Sequence, residues 1–344
     1  MNIFQKEFDG GYNTRIFNLH RQGKDFLTPN FIPSFSSRDD HYLKERLEVF
    51  LPQIPQQTIL ISAYDYFLLK QQKKIDADFI KRRFKRKFLF LDSGGYELQF
   101  SEDKKWNPST YAQVLNELNP DFYVGYDRIP SYTEISDTKN NVKISCDFLG
   151  NYDSHKERIL LFHFSLKNTP INEINTIFQI IQDNQHIIDV IGFPERELGP
   201  NIIQACVFIK KLRYKLDEQK IFKPIHIFGC SDPKSIILFV LNGADLFDGI
   251  GWIKYAFSLE KYENIERTQI PFIKCLCEAC EGANWSTIPS SEYEYRLLLH
   301  NLVSIDDFFS EIRNAILQSK LTNILQKSGL FMAFLEIDRI SREI

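Results

Sequence analysis

Long hydrophobic runs are missing from these 344 residues: purely apolar stretches such as Ile236 to Leu241 fall far short of the roughly 18 to 20 residues that a spanning helix needs. The N-terminus, MNIFQKEFDGG, lacks the profile of a secretory signal, so the chain is expected to be cytoplasmic, with no membrane partner. An excess of either charge is also missing. The 42 Lys and Arg against 45 Asp and Glu leave a net charge of -3, which argues against a protein that coats nucleic acid nonspecifically but leaves room for a local basic surface. Cysteine is scarce, with six residues, yet three of them fall within six positions. In the reducing cytosol such a cluster reads as a metal site rather than a disulfide framework. What the chain does have is apolar and aromatic bulk. With 43% hydrophobic residues, 30 Phe, 15 Tyr and 3 Trp, it can bury a sizeable core, which excludes a disordered or collagen-like chain. Its length allows two domains, or one large α/β barrel with an appendage.

Seven short apolar runs separated by helical patterns read as buried strands: Thr58 to Ala63, Phe88 to Asp92, Phe122 to Asp127, Ile159 to Ser165, Ile187 to Phe193, Ile225 to Cys230 and Ala244 to Asp248. Both faces of each are apolar, as in a parallel sheet covered on both sides, and the spacing leaves room for a helix between them. The clearest unit is HIFGCSDPKSIILFVLNGADLFD, where Asp232 suits a helix N-cap, Pro233 the first helical position and Gly243 the stop before the next strand. Seven such strands without a GxGxxG fingerprint favour a closed TIM (β/α)8 barrel, with its eighth strand after Tyr262. A doubly wound sheet is the structural alternative. The expected division is residues 1–57 as an N-terminal segment, 58–270 as the barrel and 271–344 as a zinc-binding subdomain with C-terminal helices.

Several of these strands end in chemistry. Asp92 closes FLFLD and leads into Ser93, Gly94 and Gly95; Asp127 closes FYVGYD; Asp248 closes ADLFD; Gly192 lies at the end of IIDVIGF, one residue before its last. The C-terminal strand ends of a βα barrel surround one pocket, so three carboxylates distant in sequence are expected to converge there. An Asp after a strand also caps helices, which is the alternative for any one of them alone. Two carboxylates facing one pocket suit chemistry at a sugar C1′, because an ionised Asp can trap a ribosyl oxocarbenium ion while a second moves the proton a base needs. The glycines let main chain approach a flat ligand or turn N–H groups toward an anion.

The cluster CLCEAC, with Cys275, Cys277 and Cys280, followed by His300 in LLLHNL, offers a tetrahedral Cys3His shell for a structural Zn2+. Cys146, Cys206 and Cys230 lie in apolar surroundings, as core residues do. The run KRRFKRK at positions 81–87 directly precedes a strand, which puts it on the face opposite the pocket. Lys104, Lys105, Lys139 and Lys143 follow strand ends and suit contacts to a nucleic-acid backbone. Tyr96, Phe193 and Trp252 sit near strand ends and can stack on a base, or simply fill the core; Glu195 and Glu197 can accept from a base or lie at a solvated helix start.

Taken in order, LDSGGYE, FYVGYD, HIFGCSDP, GADLFDG and CLCEAC with a later His resemble the tRNA-guanine transglycosylase family over about residues 58–300. The resemblance implies a TIM barrel with an inserted zinc subdomain that exchanges guanine in a nucleic acid for a free 7-deazaguanine by double displacement. Asp248 then matches the nucleophile, Asp92 the proton-transferring acid and Asp127 the acid that bonds the base edge. Ser93, Gly94, Gly95, Gly192, Tyr96 and Phe193 surround the base, and Cys275, Cys277, Cys280 and His300 match the zinc ligands. Departures are also present. Tyr96 and Glu97 stand where Phe-Gln is usual, GFPERELG replaces a Gly-Leu-Ala-Val-Gly stretch, LLFHFS has no match to Val-Gln-Gly so that His163, Ser165 or neither would read the base, and GIGWIKYAF lacks a Pro-Thr-Arg segment. Residues 281–300 are acidic rather than basic. These changes resemble the DpdA-type branch, which places 7-deazaguanines such as preQ0 into DNA. The alternatives are an enzyme acting on tRNA and a non-catalytic zinc-containing partner subunit. A DNA substrate implies extrusion of the base from the stack, with a wedge expected in residues 22–43 and accessory proteins for duplex opening possible.

Overall fold

The computed structural model describes residues 4–21, 23–36, 43–49, 53–98, 103–127, 129, 138–152, 155–164 and 170–343. Eight parallel strands close a barrel: β1 (Asn30–Phe35), β2 (Thr58–Ser62), β3 (Phe88–Asp92), β4 (Phe122–Val124), β5 (Glu157–Leu161), β6 (Val190–Pro194), β7 (Ile225–Phe228) and β8 (Leu246–Gly249). They run in sequence order round the barrel, and β8 closes onto β1 with Asp248 opposite Ile32 and Gly249 opposite Pro33. All seven strands expected from the sequence are there, with ends shifted by a few residues. The eighth is not after Tyr262; it is Asn30–Phe35, ahead of the other seven. Much of the segment expected to form a wedge is therefore barrel wall, while residues 22 and 37–42 lie outside the described residues.

Strand alternation sorts the apolar side chains into two layers. Ile32, Leu60, Phe88, Phe90, Phe122, Val124, Ile159, Leu161, Val190 and Leu246 point into the barrel. Their neighbours Ile59, Ile61, Leu89, Leu91, Leu160, Ile191, Phe193, Ile227 and Phe247 point out against the helices. A three-stranded antiparallel sheet, Phe4–Asp9, Arg15–Arg21 and Lys24–Leu27, plugs the end of the barrel where the strands begin. Its Phe26 meets Phe88, Phe90 and Phe122 edge-on, at ring separations of 5.4, 6.4 and 6.4 Å. Lys24 reaches the Lys87 carbonyl and Asp121, just before β3 and β4. The N-terminal segment thus seals the end opposite the candidate site. Most of the run 81–87 lies exposed at the same end, as expected from its place before β3, and Lys87 bonds to the carbonyls of Ile54 and Gln56.

The β7–helix–β8 unit forms as its sequence predicts. Asp232 accepts from the Ser235 N–H at 2.8 Å, Pro233 opens the helix Pro233–Leu241, and Gly243, at φ +104°, lets the chain turn into β8. Arg213, fully buried on the preceding helix Ile202–Glu218, locks this unit: it donates to the carbonyls of Gly243 (3.0 Å) and Lys223 (2.9 Å) and pairs with Asp245 at 2.6 Å. A 28-residue helix, Ser290–Leu317, then lies along the barrel, with Phe309 against Phe31 and Phe247. No helix among the described residues is long and apolar enough to cross a membrane.

Candidate active site

At the C-terminal strand ends a cleft of about 460 Å³ opens, lined by Asp92, Asp127 and Asp248 together with Ser34, Tyr96, Glu97, His163, Glu195 and Phe228. Asp248, on β8, is held by donors from three other places. The Ser34 hydroxyl of β1 donates to Oδ2 at 2.7 Å, His226 Nε2 of β7 lies 3.0 Å from Oδ1, and the Gly229 N–H donates to Oδ1 at 3.2 Å. His226 has no exposure, and its ring stacks on Phe228 at 3.9 Å. Its Nε2 therefore faces only the carboxylate, which it is placed to hold in one rotamer.

Asp92 ends β3. Burial, and then the nearby Asp127 and Glu97 carboxylates, raise it well above the ordinary carboxylate range, against one opposing bond from the Gly94 N–H at 3.3 Å. Such a group is held as the neutral acid and can give a proton. The turn that follows has two constrained glycines. Gly94 has φ +86°, and a Cβ on Gly95 would stand 2.8 Å from both carboxylate oxygens of Asp127. That close approach brings the Ser93 hydroxyl onto Asp127 Oδ1.

The other oxygen of Asp127 meets His163 Nε2 at 2.7 Å, and His163 Nδ1 faces both oxygens of Glu197, at 3.1 and 3.2 Å. Burial alone would push this imidazole down, but Glu197 and Asp127 outweigh it and raise it to about 10, so it carries a charge at neutral pH. Glu197 is 7% exposed and also accepts from the Phe164 N–H at 2.9 Å; it is not at a solvated helix start. Two further acids line the cleft. Burial and then Asp65 raise Glu97 to about 7, and burial raises Glu195.

A second cluster lies beyond the barrel. Cys275, Cys277 and Cys280 come from the loop ahead of the long helix, His300 from the buried side of its third turn, and their ligand atoms lie within 4.8 Å of one another. His300 Nε2 donates to the Phe257 carbonyl at 2.9 Å, which leaves Nδ1 facing Cys277 Sγ at 3.5 Å and Cys280 Sγ at 3.3 Å. A second hydrogen bond that fixes the tautomer in this way is what a metal-binding imidazole requires, and three thiols with one imidazole suit a soft, four-coordinate ion. The residues fit a metal ion.

The queuine tRNA-ribosyltransferase (TGT) family model matches residues 11–329. The chain belongs to this family. Among curated relatives, the tRNA-guanine(15) transglycosylase of Methanopyrus kandleri is 31% identical over 111 residues, covering 30% of this chain and 24% of that protein. That of Pyrococcus furiosus is 28% identical over 112 residues (30% and 19%), and that of Methanococcus maripaludis strain C5 is 24% identical over 270 residues (74% and 36%). The chain thus spans between about a fifth and about a third of the length of these relatives.

Within this TGT-family barrel the residues singled out in the sequence divide into two groups. Asp92, Asp127, Asp248 and Tyr96 line the cleft, with the Arg196 guanidinium 4.7 Å from the Tyr96 ring centroid. Ser93, Gly94 and Gly95 form the turn behind Asp127, and Gly192 packs under the cleft against Phe228 and Leu161. Phe193 does not face the cleft: it points outward onto Phe162, Phe164 and Phe208. Trp252 is also core, its ring tilted 59° to that of Phe35 at 5.1 Å and its Nε1–H on the Ser34 carbonyl. Ser165 lies outside the described residues, and Lys104, Lys105, Lys139 and Lys143 are exposed. Sequence reasoning overlooked Ser34 and His226 as partners of Asp248. Both sit two residues beyond, or at, the last inward positions of their strands, Ile32 and Leu246's neighbour on β7, so the period of two was the available signal.

Proposed function

We propose that this chain exchanges guanine in a nucleic acid for a free 7-deazaguanine base. The observation that carries this reading is the pairing, in one cleft, of a carboxylate held by three donors, Asp248, with a half-buried acid held neutral, Asp92. Asp248 attacks C1′ through Oδ2, which among the described residues has a single donor, Ser34, while Oδ1 stays on His226 and Gly229. The Oδ2–C1′ bond forms as the bond from C1′ to the guanine nitrogen breaks, and the departing base takes its electron pair together with the proton of Asp92. In the second half the incoming base gives its ring N–H proton back to Asp92 as its nitrogen attacks C1′, and the ester to Asp248 breaks. Asp127 holds the base edge. Zn2+ bound by Cys275, Cys277, Cys280 and His300 would be structural, since protein fills all four positions, and would pin residues 271–344 to the barrel.

For the polymer we infer DNA, in the manner of the DpdA-type branch. The support is the set of departures around the cleft: Tyr96–Glu97, the GFPERELG turn that brings Glu195 into the cleft and Glu197 onto His163, and GIGWIKYAF after Asp248. A second reading, tRNA, is favoured by the activity named for the relatives. The non-catalytic reading predicts loss of a pocket acid, and both Asp92 and Asp248 are present. The test incubates the protein with labelled 7-cyano-7-deazaguanine (preQ0) and either plasmid DNA or bulk tRNA, with and without lysate to supply accessory proteins. Label in DNA supports the proposal, label in tRNA alone replaces DNA with tRNA, and label in neither removes the exchange reading.

A further inference from the structure

Asp92, half-buried at the end of β3, and Asp127, which is buried, line one cleft, and such a cleft does not cheaply hold both as anions. Which of them keeps the proton decides what the cleft can do. A proton on Asp92 leaves an acid for catalysis and two acceptor oxygens on Asp127; a proton on Asp127 reverses both. Ser93 donates to one oxygen of Asp127 and is indifferent to this choice, because a hydroxyl can donate or accept. His163 is not indifferent. Its Nε2 lies 2.7 Å from Asp127 Oδ2, and its Nδ1 is braced by Glu197, 3.1 Å away, which the Phe164 N–H holds in turn. His163 and Glu197 are 3% and 7% exposed, so water screens neither contact. The described charged groups facing this imidazole are Asp127, from the loop after β4, and Glu197, from the turn after β6; Arg196 Nε stands 3.7 Å from Glu197.

Resting on the transglycosylase reading above, we infer that Glu197 and His163 form a positioning pair that holds Asp127 as a double acceptor for a base edge carrying two adjacent N–H donors and so leaves Asp92 as the acid of the cleft. Glu197 keeps His163 a cation. The cation faces Asp127 Oδ2 and the Ser93 hydroxyl faces Oδ1; among the described residues each oxygen has that one donor, which leaves a lone pair for the base. Guanine and 7-deazaguanines present such a donor pair, whereas adenine offers a ring acceptor beside its amino group. Neither His163 nor Glu197 takes part in bond making in this scheme, and both fall within segments, LLFHFS and GFPERELG, that depart from the usual family pattern.

The experiment compares wild type, His163→Gln, Glu197→Gln and Asp92→Asn by steady-state exchange of labelled guanine and by calorimetric titration with free guanine, with thermal melting as the folding control. His163→Gln keeps a donor for Asp127 but not the charge, so KM and Kd for guanine should rise at least about tenfold while kcat stays within about threefold. Glu197→Gln should do the same, and Asp92→Asn should instead abolish kcat with guanine still bound. Guanine affinity in both His163→Gln and Glu197→Gln equal to wild type would overturn the inference, as would kcat falling with KM unchanged. If either variant fails to fold, nitrogen NMR of the wild-type imidazole at pH 8 decides: two protonated ring nitrogens on His163 support the pair, and a neutral ring overturns it. Wild type that neither exchanges nor binds guanine overturns the transglycosylase reading itself, a result separate from the state of the imidazole.

Discussion

Replacing Asp248 with Asn separates shape from chemistry at the centre of the cleft. In the wild type Oδ1 accepts from His226 and Gly229, and Oδ2 accepts from Ser34. An amide can keep its carbonyl toward His226 and Gly229 and turn its NH2 toward Ser34, whose hydroxyl rotates to accept. All three contacts survive, but without the charge, which costs about 1–3 kcal/mol of stability. The chemical loss is far larger, because an amide does not attack C1′. Removing a nucleophile that works as one unit with its neighbours costs on the order of 10⁴- to 10⁶-fold in rate, equivalent to about 5.5–8 kcal/mol of barrier. The assay follows labelled guanine into nucleic acid, and a denaturing gel looks for the protein–nucleic acid ester. Wild type should show both, and Asp248→Asn neither, with a melting temperature only a few degrees lower. Exchange within about tenfold of wild type by a folded Asp248→Asn protein would remove Asp248 from the nucleophile role.

Three other outcomes follow from the same geometry. Glu97 is raised from 4.5 to about 7, by burial and then by Asp65, so the unfolded chain ionises it first and stability falls as pH rises from about 4.5 to about 7. Glu97→Gln removes that loss: its melting temperature relative to wild type should climb between pH 5 and 7.5, by the equivalent of ~1–3 kcal/mol, and an offset independent of pH would contradict this. Arg213→Leu strips Asp245 of its partner and leaves the Gly243 and Lys223 carbonyls without their donor, so chemical denaturation should show a loss of about 3–5 kcal/mol; a loss under about 1 kcal/mol would mean the pair is not what closes the β7–β8 unit. Metal analysis of purified protein should find one zinc per chain, lost in Cys280→Ser together with protection of the 275–290 loop from proteolysis; a wild-type ratio near zero with the fold intact would sink the zinc assignment.

The barrel was legible because seven of its strands are short, largely apolar runs with room for a helix between them, the pattern of a parallel sheet covered on both faces. The eighth was not, because NFIPSF carries Pro33 and two serines near its end, Ser34 within it and Ser36 just beyond, and a proline in a run argues against a central strand. Pro33 is tolerated where β1 meets Gly249, the last residue of β8, near the rim of the sheet. Phe193 was misplaced for a different reason. Gly192 and Phe193 are adjacent, so only one can face the barrel interior, and the inward residue Val190 gives that parity to Gly192. The contact of His163 with Glu197 was hidden altogether: the two are 34 residues apart on successive βα units, and no local pattern links them.

The same parity explains why the chemistry lies where it does. Counting by twos from inward core residues, Ile32 leads to Ser34, Leu60 to Ser62, Phe90 to Asp92, Leu161 to His163 and Leu246 to Asp248. On these five strands the inward residue at mid-barrel is apolar and the next one, at the rim, is polar. The lumen below is filled by Phe88, Phe90 and Phe122 and sealed by Phe26, so water cannot reach the carboxylates from beneath. Burial of this kind raises Asp92, Glu97 and Glu195 together, and a cleft carrying that many acids is stable near neutral pH only if most stay protonated or gain a cation. His163, buried among them, supplies one positive charge from inside the cleft. The near-balance of charge over the whole chain therefore says little about this site, where the distribution of a few protons over neighbouring carboxylates decides which acid can donate and which can accept.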